Sequence, residues 1–284
     1  MRMQRCGIAI GVAVTLAGLT LHAQAPDLKR VLHDMANSLG MLRSVQELDS
    51  LMTVEYWGTG TMRDVGPRTV GPEVQLKSYY AQIAYDFPGM RVDMTRATGT
   101  PQREIQVVSG TFAWNEGDKI GGGLDPAWGN AVPAMDRVSD RLLQLWTTPF
   151  GVVKAAVAAG DQTKVTVEAG AVVVTFPLAN GTPGPTVNMV TGELNGTPVK
   201  VTLNRDHRPE RVEVRYRDRV FVTTYSGYGD LNEADYKADI FLPARVVQTV
   251  DGQTVLDLTI QKSNTYNPYV IMPVPEAVQK AAAK

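Results

Sequence analysis

From Met52 almost to Gln261 the chain repeatedly alternates apolar and polar side chains with a period of two, and turn residues interrupt the runs. That period sends successive side chains to opposite faces of an extended strand, so each run has one face to bury. Between Met52 and Arg63, Val54, Tyr56 and Met62 fall on one face, opposite Glu55, Trp57, Thr59, Thr61 and Arg63. From Tyr79 to Phe87 the apolar parity carries Ala81, Ile83, Tyr85 and Phe87. Beyond the turn at Pro88-Gly89, Val92 and Met94 alternate with Arg91, Asp93 and Thr95, which predicts a hairpin. Further strands are expected at 103–108, 111–115, 164–168, 171–176, 199–204, 211–216, 220–225, 241–250 and 254–261. Asp251-Gly252 between the last two is a strong hairpin signal.

Helical spacing occurs in two places. Asp27 can cap a helix in which Leu28, Val31, Leu32, Met35 and Leu39 line one side, ending near Gly40. Between Pro133 and Gly160, Met135, Val138, Leu142, Leu145 and Trp146 recur at helical spacing before Thr147-Thr148-Pro149, which predicts two short helices separated near Pro149. The segment from Ala179 to Thr197 is rich in Gly, Pro and Asn and reads as loop. Within it Asn180-Gly181-Thr182 and Asn195-Gly196-Thr197 match a glycosylation sequon, but the Asn-Gly pairs read better as turns. Pro268, Pro273 and Pro275 are expected to end regular structure and leave a frayed tail. There is no internal repeat and no linker that divides the chain. The expectation is one β-rich domain over 26–284, an α+β fold that is mainly β.

The first residues read differently. Arg2 and Arg5 precede an uncharged run of 16 residues, Cys6 to Leu21, followed by Ala23 and Ala25. This is the pattern of a signal peptide over 1–25, cleaved after Ala23 or Ala25, and it predicts a periplasmic or secreted protein. The run is shorter than the ~20 residues of a spanning helix, so no permanent membrane span is expected after its removal. Cys6 is the only cysteine, so the processed chain would have neither thiol nor disulfide. Without Arg2 and Arg5 the chain carries 26 basic and 29 acidic groups, a net charge of −3. Nucleic acid has no basic surface to meet in that balance.

Motifs of chemistry are sparse. Only His33 and His207 remain beyond the leader, too few and too far apart for a histidine or cysteine metal centre, so no metal and no cofactor is expected. Asp230, Glu233, Asp235 and Asp239 lack the order of a calcium loop and read as a solvated acidic segment. Ser226-Gly227 does not complete a nucleophile elbow, because Thr224 stands where glycine is required. Gly121-Gly122-Gly123 is not followed by the Lys-Ser/Thr of a phosphate loop. A carboxylate pair drawn from Asp93, Glu104 and Asp125 would support glycoside chemistry only if two of them converge.

Tyr225-Ser226-Gly227-Tyr228, then Leu242-Pro243-Ala244-Arg245-Val246, Asp251-Gly252 and the stretch from Asn267-Pro268 to Val274-Pro275 form an aromatic-rich strand, a Leu-Pro strand start with a basic residue, a hairpin and a proline-bearing end. With the preceding order of helix, strands, helical insertion and strands, this resembles the LolA/LolB-like periplasmic lipoprotein-carrier family. Similar segments look like the noncatalytic domain that accompanies some secreted metallo-β-lactamase-fold hydrolases, whose metal ligands this chain lacks. The resemblance implies a strongly curved antiparallel sheet, an incomplete barrel, with helices covering its concave face. It implies a carrier or binding protein for a lipid-like ligand such as lipoprotein acyl chains, with an envelope protein as partner. An apolar inner face suits such a ligand at ~0.8 kcal/mol per buried methylene. Tyr56, Tyr85, Met94, Trp114 and Trp146 are the candidate ligand-binding residues, expected together on the helix-covered face. The same side chains could simply fill a core, which is the commoner use of buried aromatics in ordinary interiors. An accessory domain docking through a sheet edge and a carboxylate-dependent enzyme are the other two readings.

Overall fold

The computed structural model describes residues 27–66, 68–97, 102–116, 131–179 and 192–283. The expected leader, Gly121-Gly122-Gly123, Asp125 and the Asn180 sequon lie outside the described residues.

Helix α1 (Leu28–Ser38) starts where the Asp27 carboxylate accepts a hydrogen bond from the Lys29 amide at 3.1 Å, as its sequence suggests. A two-residue pair, β1 (Leu42–Arg43) and β2 (Leu48–Asp49), then stands apart from the main sheet. One meander follows: β3 (Thr53–Met62), β4 (Val74–Ala84), β5 (Gly89–Arg96), β6 (Gln102–Ser109), β7 (Phe112–Glu116) and β8 (Ala131–Pro133). Helices α2 (Val138–Trp146) and α3 (Pro149–Ala158) come next. A second meander consists of β9 (Lys164–Glu168), β10 (Ala171–Pro177), β11 (Pro198–Leu203), β12 (Pro209–Tyr216), β13 (Arg219–Gly229), β14 (Leu242–Val250) and β15 (Gln253–Asn264). The chain closes with α4 (Glu276–Ala282).

The two meanders form one antiparallel sheet of thirteen strands in the order β8-β7-β6-β5-β4-β3-β15-β14-β13-β12-β11-β10-β9. They meet at the centre, where β3 pairs with β15, and the edge strands β8 and β9 do not pair, so the barrel is incomplete. The helical segment must therefore run from one edge of the sheet to the other. It does so across the concave face, with Leu142, Leu145, Trp146, Phe150 and Val153 in one core with Ile83, Met94, Val174 and Leu258. Irregular register marks the centre of the sheet. The register of β3 with β4 shifts between Gly58 and Gly60, and that of β15 with β3 shifts between Ile260 and Lys262. The β14–β15 turn has Asp251 and Gly252 at φ of 51° and 81°, both left-handed, as a two-residue hairpin of this type requires.

Two expectations need correction. Phe87 does not continue the apolar face: β4 ends at Ala84, and Phe87 lies in the turn, 67% exposed. The tail is not frayed throughout, because α4 buries Val278 completely against the convex face. That contact belongs to a second, smaller core of Ala84, Ile105, Val107, Trp114, Val270, Met272 and Val278. Among the described residues no helix is long and apolar enough to cross a membrane.

Candidate functional site

The helices leave part of the concave face uncovered. α2 packs over β5 and β6 and α3 over β10, while the corner between them, Thr147-Thr148-Pro149, passes above the central strands. Beneath this corner lies a cleft. Its floor comes from β3 (Val54, Tyr56), β15 (Leu256, Leu258, Ile260) and β14 (Val246, Gln248), its walls from Ile83, Tyr85, Thr223, Tyr225, Leu242 and Pro243, and its roof from Gln144 and Thr147 to Phe150. Parity accounts for the floor. Gly58 lies opposite Ile260 and Gly60 opposite Leu258, so these apolar residues share the face of Val54 and Tyr56. Val246, Gln248 and Leu256 are half-buried and form the mouth.

The roof is tied down by tyrosines. The Tyr225 hydroxyl donates to the Thr147 carbonyl at 2.6 Å. Thr148 Oγ donates to the Leu145 carbonyl at 2.7 Å, which commits its one proton, so the Tyr85 hydroxyl 2.9 Å away donates to Thr148 Oγ. The same Oγ caps α3 by accepting from the Gly151 amide at 3.1 Å, and Gln144 donates to the Tyr79 hydroxyl at 3.3 Å. Burial pushes Tyr225, Tyr85 and Tyr56 well above the ordinary phenol range and Tyr79 up to about 12. All four stay protonated, and therefore able to donate, through the neutral range.

The structure divides the five candidate residues. Tyr56 and Tyr85 line the cleft. Trp146 lies behind it, wholly buried, its ring centroid 6.4 Å from that of Tyr85. Met94 is buried in the same core beside α2 but does not reach the cleft. Trp114 is on the other side of the sheet altogether. It pairs with Val107 in the convex core and donates to Glu116 through Nε1 at 2.9 Å, so the five do not share one face. Period-two reading fixes faces within a strand but does not relate one strand to the next, and here both faces of β6 and β7 are covered. Sequence reading missed Thr147, Thr148, Tyr225, Val246 and Leu256 as site residues. The strand parity of the last three carried a signal, whereas the roof hydroxyls depend on a tertiary contact.

Asp93 and Glu104 do not converge. Their registers place them on opposite faces, Asp93 opposite Ile105 and Glu104 opposite Met94. Each is held by arginine: Asp93 by Arg103, and Glu104 by Arg96 at 2.9 Å. His33 is exposed and bonded to Glu47 at 2.9 Å, and the Asp34 and Glu47 carboxylates raise its pKa. His207 sits in the β11–β12 turn at φ 62°, as its surroundings suggest. Among the described residues no three His, Cys, Asp or Glu side chains gather as a metal site. Comparison with protein-family models and with curated proteins finds no match for the chain.

Proposed function

We propose that this protein is an exported, noncatalytic carrier or binding protein for an acyl-chain-like hydrophobic ligand in the cell envelope, taken up in the cleft beneath the α2–α3 corner. The observation that carries the reading is the cleft's division of labour: aliphatic and aromatic side chains form its floor and walls apart from Gln248 and Thr223, and the hydrogen bonds of Tyr225 and Tyr85 gather at the roof. Free space within it is only ≈ 50 Å³, far below the ~300 Å³ at which ligand pockets begin. The described conformation is therefore the closed one, and a chain enters by displacing the corner. Tyr225 and Tyr85 are the latches. Each hydrogen bond is worth about 0.5 to 1.5 kcal/mol, small enough for the transfer of a few methylenes at ~0.8 kcal/mol each to offset. The likeness to lipoprotein carriers supports the same reading.

The test is titration with a fluorescent fatty acid. One saturable site is expected, with displacement by phospholipid or by an acylated peptide. Val246→Trp narrows the mouth without filling the core, and it should weaken probe binding at least about tenfold with an unchanged unfolding midpoint. Met94→Trp overpacks a closed core and should destabilise the fold by ~1 to 3 kcal/mol. A probe that never saturates, or that binds the Val246→Trp protein as tightly as the parent, would remove the carrier reading.

A further inference from the structure

The two edges of the sheet are not equivalent. β8 is three residues long, ends in Pro133, and has α4 packed against it. Short strands, prolines and covering helices are the ordinary means of blunting an edge against pairing with another molecule. β9 is longer and has no proline, and although α1 touches it, four of its five residues stay exposed. It makes five consecutive pairs with β10, Lys164 with Thr175 through Glu168 with Ala171, without a bulge, and among the described residues no strand lies on its outer side. Lys164, Thr166, Val167 and Glu168 are all exposed, Val167 by 55%.

The residues of this edge are Lys164-Val165-Thr166-Val167-Glu168. Read antiparallel to itself about Thr166, the sequence is self-complementary: Lys164 faces Glu168 of a second copy at both ends, Val165 faces Val167 twice, and Thr166 faces itself. Sliding the register by two residues loses both charge pairs. Sliding it by one places valines against charges and mismatches the faces of the two sheets. Glu168 already receives Lys200 at 2.6 Å, and Lys164 has no carboxylate partner among the described residues. Pairing would supply one.

We propose that two copies of this chain associate through their β9 edges, antiparallel and centred on Thr166, so that the sheet continues across a two-fold axis. A self-complementary patch is what a closed two-fold interface requires. Main-chain hydrogen bonds would give the affinity, and the two Lys–Glu pairs would select the register. The contact is short, so the dimer is a reversible one. It leaves the concave cleft free in both copies and does not depend on what the cleft binds.

Sedimentation velocity on the purified protein, from micromolar to several hundred micromolar, should show a concentration-dependent monomer–dimer equilibrium. Lys164→Glu sets two carboxylates against each other at both ends and should weaken dimerisation by about tenfold or more, as should Glu168→Lys. The double variant Lys164→Glu/Glu168→Lys restores opposite charges in the same register and should recover dimerisation. In a Cys6→Ser background, Thr166→Cys places two thiols directly opposite each other at a separation that a disulfide accepts, and it should crosslink to itself. Val165→Cys should crosslink to Val167→Cys and not to itself. All these positions are exposed or half-buried, and circular dichroism confirms that each variant is folded. A monomer at every concentration would overturn the proposal. So would a dimer indifferent to the charge reversals, or one in which Thr166→Cys does not crosslink.

Discussion

Asp230 organises the loop that receives the end of α1. One carboxylate oxygen accepts from the Ala238 and Asp239 amides, both at 2.9 Å, and the other from the Asn232 amide at 3.1 Å and side chain at 3.0 Å. The loop so fixed lies against the helix terminus, with the Phe241 amide donating to the Leu39 carbonyl at 3.1 Å and Arg43 to the Ala238 carbonyl. Burial alone would raise the pKa of this carboxyl, but the N–H donors outweigh it and hold the pKa below the ordinary aspartate value. A group depressed in the folded state stabilises above its unfolded pKa of ~3.9 and loses that contribution as pH falls through the folded value. Asp230→Ala should therefore cost about 1 to 3 kcal/mol at pH 7, and the gap from the parent should narrow toward pH 3, as read by urea unfolding at both pH values. A gap of the same size at both would mean that the charge is not what organises the loop. From sequence, Asp230 was legible only as one member of an acidic segment, because the amides that make it structural come from residues eight and nine positions later.

At the scale of elements, the longer strands were legible because alternation records which face is buried, and β9 was placed to the residue, whereas β1, β2 and β8, two or three residues each, were too short to show a period. α1, α2 and α3 were legible through spacing, through the Asp27 cap and through the break near Pro149. α4 was hidden, because three prolines precede it and only Val278 of its seven residues is buried, which leaves no periodic stripe to read. Yet that one side chain seals the convex core over Trp114, Ile105 and Val107. Val278→Ala should cost about 1 to 3 kcal/mol in unfolding free energy, whereas Lys280→Ala, whose side chain is 71% exposed, should stay within about 0.5 kcal/mol. Equal effects from the two would show that α4 is not docked in solution. The bulges that curve the sheet were likewise invisible, since a register shift is a relation between strands and leaves no mark on the alternation of either one.

For the molecule as a whole, every pair among the described strands but one joins neighbours along the chain, so β3–β15 is the one strand pairing that ties the two meanders together beneath the core they share with α2 and α3. It pairs Gly60 with Leu258, across most of the described chain, and such non-local contact is the costly kind in folding. The seam allows no side chain at two positions. A Cβ on Gly60 would lie 1.9 Å from the Asp257 carbonyl oxygen, and one on Gly58 would lie 2.4 Å from that of Thr259. The seam is also the floor of the cleft, through Val54, Tyr56, Leu258 and Ile260, so the same close backbone approach that joins the meanders shapes the site. Gly60→Ala should thus destabilise by about 3 kcal/mol or more, while Gly71→Ala, where a Cβ meets nothing nearer than 3.4 Å, should change little. Hydrogen exchange gives the distinguishing readout. Amides of β3 and β15 should lose protection before those of β5 and β12, because each meander keeps its own hairpins when the seam opens. Fatty-acid binding should fall with the seam's protection and not with that of the outer strands. Uniform loss of protection across all thirteen strands, with binding retained, would mean that the sheet opens as one unit and that the seam is not its line of weakness.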